Sequence, residues 1–172
     1  TAPPSAAASA VSCASKRTRR TRTVCTASCL QTCSTPPRCS ATTSDRADPD
    51  TARLRELATR CRVSDRLRFL GAVPRAQVPP LLRSADAVVC APWYEPFGIV
   101  ALEAMSCERA VVATAVGGMQ DTVVHGVTGL HVPPRRPDAL AAALRDLLAG
   151  PSRPATFGAA GRDRVLARYT WT

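Results

Sequence analysis

Apolar residues in this chain come in short unbroken runs that end at Pro or Gly, not in strict alternation. AVVCAP (87–92) is closed by Pro92 and RAVVATAVGG (109–118) by Gly117 and Gly118, while VTGLHVPP (127–134) gives a last short strand. A strand that is apolar on both sides must be covered on both faces, as in a parallel sheet between helical layers. The intervening segments supply the helices. DPDTARLRELATRC has a start signal between Asp48 and Thr51 and sets Leu54, Leu57 and Ala58 on one face. AQVPPLLRSAD predicts a short helix, with Pro79 and Pro80 confined to its first turn or breaking it. Gly98 to Cys107 predicts a helix with Ile99, Ala101, Leu102 and Met105 available for packing. PDALAAALRDLLAG predicts an amphipathic helix stopped by Gly150, and a last helix covers about Phe157 to Tyr169. A further short strand, Arg66 to Leu70, alternates and ends at Gly71. In such sheets ligands sit at the carboxyl ends of strands, near helix N-termini. The loop from Ala91 to Gly98 and the Gly117-Gly118 turn fall at such ends.

This pattern begins near Asp45. Of residues 1–44 only Val11, Val24 and Leu30 are aliphatic beyond Ala, and neither a period of 2 nor one of 3.6 is sustained. A segment with so little apolar area is expected to be disordered. The net charge of +10 divides at the same place: Lys16, Arg17, Arg19, Arg20, Arg22 and Arg38 face no acid upstream, and the remainder carries +4. A basic face attracts nucleic acid or anionic lipid. Only the run from Lys16 to Arg22 gives that reading force, and a solvated basic segment is the preferred reading of it.

Cys13, Cys25, Cys29, Cys33 and Cys39 also lie in this first quarter. Their spacing is looser than the tight pairs of zinc and iron–sulfur sites, and His125 and His131 are distant, so no metal site is expected. A disulfide framework would need an oxidising compartment, to which nothing in the sequence points. With 172 residues the chain can bury one real core, and with only 4% aromatic residues that core must rest on Ala, Val and Leu. No stretch approaches the roughly 18 consecutive apolar residues of a membrane span. The start shows no basic region followed by an apolar run, so no secretory signal is expected. The first residue, Thr1 rather than Met, suggests a fragment.

Candidate chemistry concentrates in APWYEPFGIVALEAMSCERAVVATAVGG. Gly98 lets a ligand approach the backbone, and the N–H groups of the following first helical turn offer an anion site. Glu95 and Glu103 are eight residues apart, so their backbones differ by roughly 10 Å along a helix axis. A shared-proton pair is not expected at that separation. Two carboxylates flanking a glycosidic bond remain open, as does one carboxylate at each end of an extended ligand with phosphates between them. Spacing alone favours a plainer reading, two surface glutamates. Trp93 and Tyr94 fit either a sugar-site wall or a loop anchor.

The string EPFGIVALE resembles the E-x7-E signature of retaining GT-B glycosyltransferases, particularly family 4. The flanking RLRFLGAVP and ADAVVCAPWYEPFGIVALEAMSCERAVVATAVGGMQDTVVHGVTGLHVPP match in order, so the resemblance covers about Asp45 to Thr172. It implies a Rossmann-like α/β domain, the C-terminal half of a two-domain enzyme, binding a nucleotide-sugar donor in the cleft that faces the N-terminal domain. By the resemblance, Glu103 would bond the ribose hydroxyls and Glu95, the catalytic candidate, the hydroxyls of the transferred sugar. The backbone of Phe97, Gly98, Ile99 and Val100 would hold sugar and diphosphate, and the region from Gly71 to Pro74 would lie near the base. Transfer would proceed with retention and without a bound metal or cofactor, the leaving diphosphate being stabilised by the helix terminus and basic side chains. The acceptor, a sugar, lipid or small molecule, is not specified. The location implied is cytoplasmic, extending to the inner face of the membrane.

Members of that family open this domain with a strand, a Gly-Arg pair and a Lys-Gly pair. TAPPSAAASAVSCASKRTRRTRTVC has no counterpart, and CLQTCSTPPRCSATTS stands where the next strand is expected. Residues 1–44 therefore read as an out-of-frame segment that joins the family's frame near Asp45. The fold is expected to be incomplete on its N-terminal side, and the isolated chain to be inactive. Two other readings compete: a basic arm that contacts nucleic acid beside an inert α/β body, and a GT-B-like sugar-nucleotide epimerase. The E-x7-E match with its PFG turn speaks against the second. His125 and His131 are read as a turn and a strand residue.

Overall fold

The computed structural model describes residues 9–14, 23–28 and 49–170. Six strands form one sheet: β1 (Ser9–Ala14), β2 (Thr23–Ser28), β3 (Leu67–Ala72), β4 (Ala87–Cys90), β5 (Ala110–Thr114) and β6 (Gly129–Val132). The helices are α1 (Pro49–Arg60), α2 (Val78–Ser84), α3 (Ile99–Ser106), α4 (Met119–Thr122), α5 (Pro137–Leu148) and α6 (Ser152–Arg168). The sheet order is β3-β1-β2-β4-β5-β6. β2, β4, β5 and β6 are mutually parallel, and β1 is antiparallel to both its neighbours, so β3 runs with the parallel set.

The apolar runs become β4 and β5 because every residue in them is covered. Ala87 and Val89 of β4, with Ala110 and Val112 of β5, join Leu130, Val132, Leu147 and Phe157 on one face. Val88 and Cys90, with Val111 and Ala113, join Leu82, Ala101, Ala104, Met105, Met119 and Val165 on the other. Met105 and Leu147 are fully enclosed, so truncating either to Ala costs about 2–5 kcal/mol. The expected α/β fold with helices on both faces is the observed one.

Several particulars differ from the sequence reading. Two strands, β1 and β2, stand upstream of Asp45 where none was expected. They fill the space between β3 and β4, where backbone ladders on both sides supply hydrogen-bond partners that do not depend on apolar side chains. β3 runs through Gly71 to Ala72. Among the described side chains of α1 only Ala58 is buried, while Leu54 and Leu57 are exposed. Arg55 makes the contact to β3 there, its guanidinium 4.9 Å from the Phe69 ring centroid. α4 is a single turn, too short for any periodicity to announce it. α6 begins at Ser152, five residues before the expected start, because Pro154 falls in its first turn, where a proline is tolerated.

Candidate functional site

From the carboxyl end of β4 the chain turns through Trp93, Tyr94, Glu95, Pro96 and Phe97 to Gly98, the residue that precedes α3. Gly98 takes φ 74°, a left-handed value that side chains resist, and its Cβ position lies 3.0 Å from Thr122 Oγ1. Three hydrogen bonds fix the loop. Thr114 Oγ1 donates to the Pro92 carbonyl at 2.6 Å, Thr122 Oγ1 to the Phe97 carbonyl at 3.2 Å, and the Gly118 N–H to the Glu95 carbonyl at 2.9 Å. The last contact requires bare backbone, since a Cβ on Gly118 would stand 2.5 Å from the Pro96 carbonyl oxygen.

Glu95 is not a surface residue: it is 7% exposed. Its Oε1 accepts the Gly98 N–H at 3.0 Å and the Phe97 N–H at 3.4 Å. Among the described residues Oε2 accepts no hydrogen bond. The amides of Ile99, Val100 and Ala101 have no intrahelical acceptor by position, and no side chain caps them. Ile99 is exposed, against the expectation that it packs; the packing face of α3 is Ala101, Ala104 and Met105, which meets the sheet and α6. Trp93, Tyr94 and Phe97 are exposed beside it, the first two with ring centroids 6.3 Å apart.

Glu103 lies further along α3 with its side chain at the surface. Partial desolvation pushes its carboxyl above the ordinary value, and the charge of Arg75 pulls it back. Arg75 sits just after β3, so the segment that follows Gly71 comes within electrostatic reach of Glu103. Gly71 itself lies near the carboxyl end of β3, the end of the sheet from which the β4 loop also leaves. The structure therefore assembles Glu95, Phe97, Gly98, Ile99 and Val100 into one loop-and-helix start, with Glu103 on the same helix. Thr114, Thr122 and Arg75 belong to its surroundings but carry no motif by which sequence could find them.

The two histidines have structural partners. The His131 N–H donates to His125 Nδ1 at 2.9 Å, and His131 Nε2 lies 3.2 Å from the Met119 carbonyl. Among the described residues no cluster of His, Cys, Asp and Glu is placed to hold a metal. No helix among them is long and apolar enough to cross a membrane. The basic run from Lys16 to Arg22 and Cys29, Cys33 and Cys39 lie outside the described residues.

Residues 47–164 match the family described as glycosyl transferases group 1. The chain is 41% identical over 105 residues to the alpha-maltose-1-phosphate synthase of Mycolicibacterium smegmatis, a match covering 58% of this chain and 27% of that protein. Among solved structures, the sucrose-phosphate synthase of Thermosynechococcus elongatus superposes with a TM-score of 0.71 at 39% identity, over 74% of this chain and 33% of that one. Anabaena HepE in complex with UDP-glucose superposes with a TM-score of 0.66 at 31% identity, over 72% and 34%. The chain thus spans about a quarter to a third of these three relatives, with the architecture of GT-B glycosyltransferase C-terminal domains. By the match from α1 through β3, β4, the site loop, β5 and β6 to most of α6, this chain belongs to the group 1 glycosyl transferases.

Proposed function

We propose that residues 45–172 form the donor half-site of a retaining, family 4 type glycosyltransferase that takes its sugar from a nucleotide-sugar. The observation that carries the reading is the start of α3. Its first-turn amides are uncapped by any side chain, behind a left-handed glycine and beside a carboxylate whose second oxygen takes no hydrogen bond among the described residues. A diphosphate there gains several N–H donors and the positive end of the helix dipole. Because Glu95 already holds the Gly98 amide, the phosphates fall to Ile99 and Val100, and Glu95 Oε2 is left for a sugar hydroxyl. Glu103, outward on the same helix, would bond the ribose hydroxyls. The same dipole would stabilise the leaving diphosphate without a metal or cofactor. HepE, a relative at 31% identity, is described in complex with UDP-glucose, which favours a uridine nucleotide as the donor class. A cytoplasmic location, extending to the inner face of the membrane, follows from the resemblance.

The other part of a two-domain enzyme would bring the acceptor site, so this chain alone is expected to bind donor weakly and to transfer nothing. Titration calorimetry with UDP- and GDP-sugars tests the reading. The expected result is affinity weaker than millimolar that drops further in Glu103→Ala. Sub-millimolar affinity, or binding indifferent to that substitution, would contradict it.

A further inference from the structure

α6 lies against α3 with bare backbone at the contact. A Cβ on Gly161 would stand 2.9 Å from Met105 Cγ, and one on Gly158 2.2 Å from the Glu108 carbonyl oxygen. This close approach brings Arg164 to the carboxyl end of α4, where carbonyls lack intrahelical donors and a cation is favoured. Arg164 Nε donates to the Thr122 carbonyl at 3.1 Å and Nη2 to the Asp121 carbonyl at 2.5 Å. At the end of the same helix, the Tyr169 hydroxyl lies 3.5 Å from that Asp121 carbonyl.

Thr122 connects in the other direction. It is 2% exposed, its hydroxyl donates to the Phe97 carbonyl at 3.2 Å, and its N–H donates to the Gly118 carbonyl at 2.9 Å. Phe97 and Gly98 in turn give their amides to Glu95. A helix of four residues cannot hold its own position by propensity, so α4 stands where its neighbours fix it. One guanidinium on α6 holds its end, and one buried hydroxyl passes that position to the loop.

We infer that Arg164 is a positioning residue for the loop from Glu95 to Gly98, acting through Thr122. Its effect on donor binding rests on the donor-site reading above; its effect on the loop does not. Arg162, two positions earlier, pairs with Glu108, away from α4, and serves as the control.

Amide spectra of the full chain test both arms. Arg164→Met is expected to shift the Phe97 and Gly98 amides and to lower the initial slope of a UDP-glucose titration at Ile99 and Val100 about three- to tenfold. Arg164→Lys, whose ammonium keeps the charge but not the paired donors, is expected to shift the same amides less and restore part of the slope. Thr122→Val should reproduce the loop shifts, and adding Arg164→Met to it should change them little further. Arg162→Met should leave the loop amides in place. The inference is overturned if Arg164→Met leaves Phe97 and Gly98 unshifted, if the two substitutions add in full, or if Arg162→Met moves the loop equally. Should Arg164→Met not fold, Arg164→Lys decides by the same amides. Loop shifts as expected, with no UDP-glucose response at α3, would sustain the positioning role and sink the donor reading.

Discussion

Gly117 and Glu95 meet backbone to backbone: a Cβ on Gly117 would stand 2.1 Å from the Glu95 carbonyl oxygen. The turn after β5 is thus the seat on which the β4 loop rests. Gly117 also takes φ 46°, so two separate penalties oppose any side chain there. Gly117→Ala is expected to cost about 3 kcal/mol in denaturant unfolding, from strain and overpacking together. Gly126 provides the comparison, with φ 77° and nothing within 4 Å of its Cβ position. Gly126→Ala should cost only the backbone strain, about 1 kcal/mol. Equal costs at the two positions would show that the contact with Glu95 is not tight.

The two glutamates of the E-x7-E pair should separate cleanly in stability. Glu95→Ala removes a buried acceptor and orphans the Gly98 amide, at about 2 kcal/mol by chemical denaturation. Glu103→Ala, which removes a side chain exposed at the surface of α3, should stay within about 0.5 kcal/mol. The reverse ranking would contradict the inward placement of Glu95.

The raised carboxyl of Glu103 has a definite sign in the pH profile. A folded-state value above the unfolded one means that the native chain holds the proton over a window in which the unfolded chain has lost it. Stability contributed by Glu103 therefore falls as pH rises from its ordinary value through the raised folded value. Unfolding free energies of the wild type and Glu103→Gln, compared across the mildly acidic range, should show this decline in the wild type alone. A difference that grows with pH in favour of the wild type would mean that attraction to Arg75 outweighs desolvation.

Much of this site could be read from the chain because it is built from local signals. The runs at β4 and β5 announced buried strands by leaving no polar position. Gly98 announced a helix start, and Gly117-Gly118 a strand-end turn. Spacing alone could not tell Glu95 from a surface residue, because its burial depends on Gly118 and Thr122, more than 20 residues away in sequence. Leu54 and Leu57 kept helical spacing without a surface to cover them. SAVSCA and TVCTAS were illegible as strands since small residues give little contrast between two faces, and their pairing is set by β3 and β4.

Among the described strands β1 alone runs against the direction of the sheet. We propose that residues 1–44 are read out of frame ahead of the segment that carries the family pattern, and the coding DNA tests this. Translating the coding DNA in the other two frames should yield aliphatic strands with a Gly-Arg and a Lys-Gly pair. If neither frame does, the frame hypothesis is wrong.

The central claim is that the start of α3 receives the diphosphate of a nucleotide-sugar. Amide shifts of the full chain, followed as UDP-glucose is added at millimolar concentrations, test it most directly. The account predicts that Ile99, Val100 and Glu103 move first and together, without saturating below millimolar ligand. Shifts confined to another surface, such as the open cleft between His125, His131 and Arg168, or no shift at α3 at any concentration, would contradict it.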